Sequence, residues 1–175
     1  CYKTYLTLIN YEVDIDDWIN YTRIPSFIGL RDIEDMWMNK YDVAYLKMAE
    51  AFSETSVANR LKVGCVIVRD GQPISLGING TPTGWFTNNC EDQDGKTAWY
   101  TKHAEVQALN KLRKSTESSV GAEMFVTHSP CEMCALDIID AGIKRVVYQT
   151  EYRDRAGINL LKEHDIIVEQ LIDNT

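Results

Sequence analysis

An α/β sheet of about five strands with helices packed on it is the fold class this chain predicts. Three observations predict it: an early hairpin signal, strand and helix periodicities that alternate after it, and a length of 175 residues that suits one domain with a full core. Val43, Leu46, Met48, Ala49 and Phe52 recur at helical spacing and place a helix over about residues 39–54. The β-branched run 63–68 (Val-Gly-Cys-Val-Ile-Val) reads as a buried strand, Asp70-Gly71 as a tight turn, and 74–78 as the returning strand. A second helix follows His103, with Ala108, Leu109 and Leu112 on one side. Beyond it come a strand at 124–127, a helix from Cys131 that stops near Ala141-Gly142, a strand at 145–148, a helix around 158–164 and a strand at 166–168. Strands separated by helices imply right-handed crossovers.

Residues 1–38 read differently. Tyr2, Tyr5, Tyr11, Trp18, Tyr21, Phe27 and Trp37 are too many aromatics for a disordered tail, while Asp14, Asp16 and Asp17 interrupt any apolar pattern. The expected organisation is an N-terminal arm over 1–38, packing on the domain or a neighbouring subunit, and the main domain over 39–175. An arm that stacks nucleic-acid bases is disfavoured, because stacking sites come with basic neighbours and this one is acidic.

Charge and composition narrow the function. With Lys+Arg 18 against Asp+Glu 26, a formal charge of −8, the surface repels long nucleic acids. No apolar run approaches the roughly 20 residues that span a bilayer, and no basic-plus-apolar leader opens the chain, so a cytoplasmic protein is expected. Cys1 stands where an initiator Met would, as in a processed or trimmed chain. Five cysteines are an odd number and Cys65 falls in the predicted buried strand, which argues against a disulfide framework.

The chemistry is concentrated in His103-Ala104-Glu105 and Pro130-Cys131-Glu132-Met133-Cys134. One imidazole and two thiolates make three zinc ligands, which leaves the fourth tetrahedral position to water, as in catalytic rather than structural sites. Zinc lowers the pKa of bound water from about 16 towards 7. Glu105, two residues from His103, falls off its helix face and is free to carry protons instead of metal. Cys131 and Cys134, at i and i+3, share a face if Pro130 opens a helix. Alone, a Cys-x-x-Cys is often a structural knuckle or redox pair; together with His-x-Glu it forms the zinc deaminase signature, in which water adds to C4 of cytosine or C6 of adenine and ammonia departs.

Over residues 41–170 the sequence resembles the deoxycytidylate (dCMP) deaminase family. The resemblance is carried by Lys62-Val63-Gly64-Cys65-Val66-Ile67-Val68, Gly77-Ile78-Asn79-Gly80-Thr81-Pro82-Thr83-Gly84, the His103 triplet, Val126-Thr127-His128-Ser129-Pro130-Cys131 and Ala141-Gly142-Ile143-Lys144. It implies a cytidine-deaminase-like three-layer α/β/α fold with a mixed sheet, and conversion of dCMP to dUMP for thymidylate synthesis. It also implies substrate contacts from Asn79 to the sugar hydroxyl, from Gly80 and Thr81 to the phosphate, and from Ala104 N–H and the Ser129 backbone to the base. Tyr152, Arg153 and Lys62 are the further phosphate candidates. Members are commonly homohexamers activated by dCTP with Mg²⁺ and inhibited by dTTP, which makes Gly84, Asn89 and Cys90, on the connection over 84–102, candidate regulatory residues.

This chain has Gln107 where the family commonly has Asn, and its 84–102 connection follows the family's regulatory loop only loosely. A tRNA adenosine deaminase shares the zinc residues but typically has Glu where Ser129 stands. Two alternatives are a deaminase of a free nucleoside, a triphosphate or a tRNA base, and a non-enzymatic zinc-stabilised module whose site is closed by a fourth ligand such as Cys90. His128 reads as pocket-lining or surface, and His164 as solvated.

Overall fold

The computed structural model describes residues 30–171, with side chains from residue 40 onward. The chain divides into two units between Asn39 and Lys40; the expected arm over 1–38 lies outside the described residues, apart from the backbone of the helix that starts at Leu30. Within the described residues the order is α1 (Leu30–Ser53), β1 (Gly64–Arg69), β2 (Gln72–Ile78), α2 (Ala104–Leu112), β3 (Glu123–His128), α3 (Glu132–Asp140), β4 (Arg145–Thr150), α4 (Ala156–Glu163) and β5 (Ile167–Gln170). The strands form one sheet in the order β2-β1-β3-β4-β5.

The hairpin turns where the sequence places it. Asp70 (φ 51°) and Gly71 (φ 74°) both adopt positive φ, the geometry that lets a two-residue turn follow the right-handed twist of its strands. The β1–β2 pairing is antiparallel, with a register shift between Ile67 and Val68. β1 also pairs antiparallel with β3, whereas β3, β4 and β5 run parallel, so the sheet is mixed. Parallel neighbours need a crossing segment, and α3 and α4 supply it.

Alternation along the strands divides the core between two faces. Cys65, Ile67, Met124, Val126, Val146 and Tyr148 point to the side covered by α2, α3 and α4, where Leu109, Ala135, Ile138 and Leu161 meet them. Val66, Val68, Phe125 and Val147 point the other way, against Leu46 and Ala49 of α1. Apolar residues on both faces explain why β1 and β3 read as unbroken hydrophobic runs.

Two details of α1 differ from the sequence reading. Its backbone is helical from Leu30, well before the expected start near residue 39, and Met48, expected on the buried side, is 39% exposed. Asp42 takes a buried place instead, at 8% exposure, because Arg145 at the start of β4 reaches it. The Arg145 guanidinium donates to Asp42 (2.5 and 3.1 Å), Glu123 (2.9 Å) and Glu169 (2.6 Å), joining α1, β3, β4 and β5 through one cation. Hydropathy cannot anticipate a buried acid whose partner is about a hundred residues away.

Gly77 governs how closely α2 approaches the sheet. A Cβ there would lie 2.0 Å from the Ala104 carbonyl oxygen and 2.6 Å from the Ala108 nitrogen, so only a bare backbone lets the first turn of α2 rest on β2. That turn carries Glu105.

Partial burial pushes the Glu123 carboxyl up, but hydrogen bonds from Arg145 and Lys144 outweigh it and hold the group below its ordinary value. A depressed folded-state pKa adds stability above the unfolded value of about 4.3 and loses it as pH falls through the folded one. Glu123→Gln is therefore expected to cost about 1–2 kcal/mol at pH 7. In urea titrations its deficit should shrink towards zero by about pH 3, where the parent carboxyl is also neutral.

Candidate metal centre and substrate cavity

Two helix starts meet at this site. His103 is the N-cap of α2 with an extended backbone (φ −74°, ψ 158°), and Cys131 is the N-cap of α3 in nearly the same conformation (φ −75°, ψ 169°). The expectation that Pro130 opens α3 is corrected: the helix begins at Glu132, and Pro130 precedes the cap. Ser129 N–H donates to the Thr150 carbonyl at 2.9 Å, which keeps the chain extended through Ser129, and a residue before proline resists the helical region in any case. Gly157 closes the arrangement from behind. A Cβ at that position would meet the Pro130 carbonyl oxygen at 2.2 Å, so α4 presses directly on the segment that presents Cys131.

His103 Nδ1 lies 3.2 Å from Cys134 Sγ and 3.5 Å from Cys131 Sγ. All three ligand atoms fall within 4.8 Å of one another, and among the described residues this is the group of His, Cys and carboxylate side chains that could hold a metal ion. Zinc bonds of about 2.1 Å to nitrogen and 2.3 Å to sulfur at tetrahedral angles put neighbouring ligand atoms about 3.6 Å apart. The observed separations fit a zinc ion bound through Nδ1 and two thiolates. Cys90 is not part of the group, so the closed, four-ligand reading finds no partner there.

The electrostatics also suit a cation. The hydrogen bond with Cys134, aided by that with His103, lowers the Cys131 thiol to about 4 against the opposing effect of burial. The same bond raises Cys134, whose desolvation adds to the rise. Its contact with the Cys131 sulfur raises His103, although burial works the other way. The cluster thus favours one thiolate, and zinc binding requires the second thiol to release its proton as well. Glu105, 4% exposed, follows His103 on α2; burial raises its carboxyl, only partly offset by its own backbone N–H and the His103 charge. A carboxyl raised in this way suits proton transfer near neutrality.

A cavity of about 350 Å³ opens from this cluster. His103, Ala104, Glu105 and Cys131 line its metal end, and Asn79, Ser129 and Tyr152 continue the wall. The Asn79 amide is largely engaged in holding that wall: Oδ1 accepts from Val63 N–H (2.9 Å) and Ser56 Oγ–H (2.8 Å), and Nδ2 donates to Leu61 O (2.7 Å). Ser129 Oγ accepts from Tyr152 N–H at 2.7 Å and fixes the backbone of the residue it faces.

Other expected contacts lie elsewhere. Gly80 is buried and its N–H is donated to Lys102 O at 3.0 Å, so the phosphate donor that the resemblance implied there is already engaged. Lys62 Nζ is held by Glu54, at 3.2 Å from both its carboxylate and its carbonyl. Lys62, Gly80, Thr81 and Arg153 are not among the cavity-lining residues, and the Arg153 guanidinium sits 5.7 Å from the Tyr152 ring centroid. Arg60 and Glu91, which the sequence reading missed, do line it. The Glu91 carboxylate accepts from Asn59 N (2.9 Å), Arg60 N (3.1 Å) and Asn59 Nδ2 (3.2 Å). No local pattern announces that clasp, although an Arg two residues before the Lys62 motif was a visible cation.

Residues 39–150 match the family described as the cytidine and deoxycytidylate deaminase zinc-binding region. The chain belongs to this family. The dCMP deaminase of cyanophage S-TIM5, solved with dCMP and dUMP, is 45% identical with a TM-score of 0.74, covering 75% of this chain and 97% of that one. The deoxycytidylate deaminase of Mycobacterium phage D29 is 34% identical over 124 residues, covering 63% of this chain and 95% of the relative. ComE operon protein 2 of Bacillus subtilis is 34% identical over 145 residues, covering 79% and 74%. This deaminase carries its zinc candidates on the starts of two helices packed against a mixed five-stranded sheet.

Metal content separates ligands from the proton carrier. Purified protein is expected to hold one zinc per chain, and Cys131→Ser, Cys134→Ser and His103→Ala are each expected to lose most of it by elemental analysis. Glu105→Gln should keep its zinc while turnover falls by roughly 10²-fold or more.

Proposed function

We propose that this deaminase converts dCMP to dUMP and ammonia. The observation that carries the reading is one cavity, of a size suited to a mononucleotide, that joins an open three-ligand metal cluster to a buried carboxylate. The 45% identity to the cyanophage dCMP deaminase supports it. His103, Cys131 and Cys134 would hold a zinc ion, which would supply the Lewis acidity that makes water a better nucleophile near neutral pH. Glu105 takes the two protons of the attacking water in turn, passing one to N3 and the other to N4 as the C4–N4 bond breaks, so that cytosine plus water becomes uracil plus ammonia. Ala104 N–H at the head of α2 and the Ser129 backbone hold the base, while Asn79 and Tyr152 shape the sugar end. Ammonia release from dCMP, deoxycytidine and dCTP tests the substrate. The expected order places dCMP first by at least ten-fold in kcat/KM, because the phosphate adds charge-assisted hydrogen bonds; equal efficiency on dCMP and deoxycytidine would refute the assignment.

The same reading extends to supply of dUMP for thymidylate synthesis, to an arm over 1–38 that packs on the domain or a neighbour, and to assembly as a homohexamer. It also includes regulation by dCTP with Mg²⁺ and by dTTP through the 84–102 connection. Support for a regulatory surface comes from the aromatics there. Trp85 lies 5.1 Å from Phe86, 5.5 Å from Tyr100 and 6.0 Å from Trp99 by ring centroids, and Phe86 and Trp99 are 82% and 86% exposed. Exposed rings on a long connection are costly unless something covers them. An effector acts only by preferring one state. Rate curves should therefore be sigmoidal in dCMP, shifted left by dCTP and right by dTTP; a hyperbolic curve indifferent to both would remove the regulatory part and leave the chemistry standing.

A further inference from the structure

His128 ends β3 and lines the substrate cavity, and the proposed reaction does not use it. Its Nδ1 lies 3.1 Å from Thr127 Oγ1, and Thr127 is buried. That hydroxyl already accepts the Gly64 N–H at 3.2 Å. Its one proton then needs an acceptor, since a buried donor left unpaired loses about 1–3 kcal/mol, and His128 Nδ1 is the acceptor in reach. This fixes the ring: Nδ1 accepts, and a neutral imidazole carries its hydrogen on Nε2. Burial lowers the His128 pKa, in keeping with a neutral ring at physiological pH. Among the described residues, no protein atom accepts from Nε2.

The charge inventory of the cavity says what that donor meets. Arg60 is the one permanent cation among the lining residues, while Glu91 and Glu105 are acidic. Lys62 is turned to Glu54, and Arg153 does not line the cavity. A phosphate dianion needs more donors than a single guanidinium offers, and Asn79 and Gly80 are occupied elsewhere. We propose that His128 is a specificity-determining residue whose Nε2–H, oriented by the Thr127 hydroxyl, donates to the phosphate of the nucleotide substrate. The inference rests on the mononucleotide reading above.

The test uses the zinc-loaded full chain and the ratio of kcat/KM for dCMP to that for deoxycytidine. His128→Leu removes the donor, and His128→Asn shortens it so that its amide replaces Nδ1 rather than Nε2. His128→Gln keeps a donor near the Nε2 position. The ratio is expected to fall roughly ten-fold or more in His128→Leu and His128→Asn, mostly through KM for dCMP, and to return to within about three-fold of the parent in His128→Gln. Inhibition by dUMP relative to deoxyuridine should follow the same order. If the parent prefers dCMP and the Asn and Gln variants keep that preference equally, the role of His128 is overturned while the substrate assignment stands. A parent without preference for dCMP overturns both.

Discussion

Everything at the active end of this protein depends on two helix starts being held within a few ångströms of each other. His103 caps α2 and Cys131 caps α3, and the 3.2 Å approach of His103 Nδ1 to Cys134 Sγ exists only because both helices lie on the same face of the sheet. Gly77 and Gly157 permit that closeness, each facing a backbone carbonyl where a methyl group would intrude. The positive ends of both helices face the cluster, so thiolate charge and a developing negative charge on the substrate are favoured by the same backbone dipoles.

The sheet topology explains why the cavity stands where it does. β3 and β4 run parallel, and their C-terminal ends deliver His128, Ser129 and Tyr152 to one edge, next to the cap of α3. Open α/β sheets place ligands outside the carboxyl ends of their parallel strands, and this one follows the rule. The opposite wall has a different origin. It comes from residues 56–63 and the 84–102 connection, which are irregular and are held by Glu91 against Asn59 and Arg60, and by Lys102 against Gly80. A rigid chemical end thus faces a wall built from loops, a division in which specificity changes without disturbing the metal cluster.

Among the described residues, buried carboxylates occur in two places with separate tasks. Arg145 gathers Asp42, Glu123 and Glu169 at the starts of β3 and β4, the strand ends opposite the cavity, and ties α1 to the sheet. Glu105 is buried without a cationic side chain of that kind, and its raised carboxyl reflects this. In the first, paired charges orient the packing; in the second, an acid poorly matched by partners is left able to exchange a proton.

The sequence by itself determined the α/β class, the order of the elements and the residues proposed to hold a metal and carry protons. Each of these rests on local information: period-two and period-3.6 hydropathy, an Asp-Gly turn, a carboxylate two residues after a histidine, and two cysteines three residues apart beside helix starts. Tertiary structure alone decided which donors remain free. In the linear chain Gly80 and Lys62 look available to a phosphate and Asn79 to a sugar hydroxyl, but their partners are Lys102, Glu54 and Leu61. Arg60 and Glu91 come to the cavity through contacts no short window contains, and Asp42 is buried by an arginine about a hundred residues away. A donor hydrogen already bonded within the fold is not free for a substrate, so its availability is set by the whole fold and not by its neighbours in sequence.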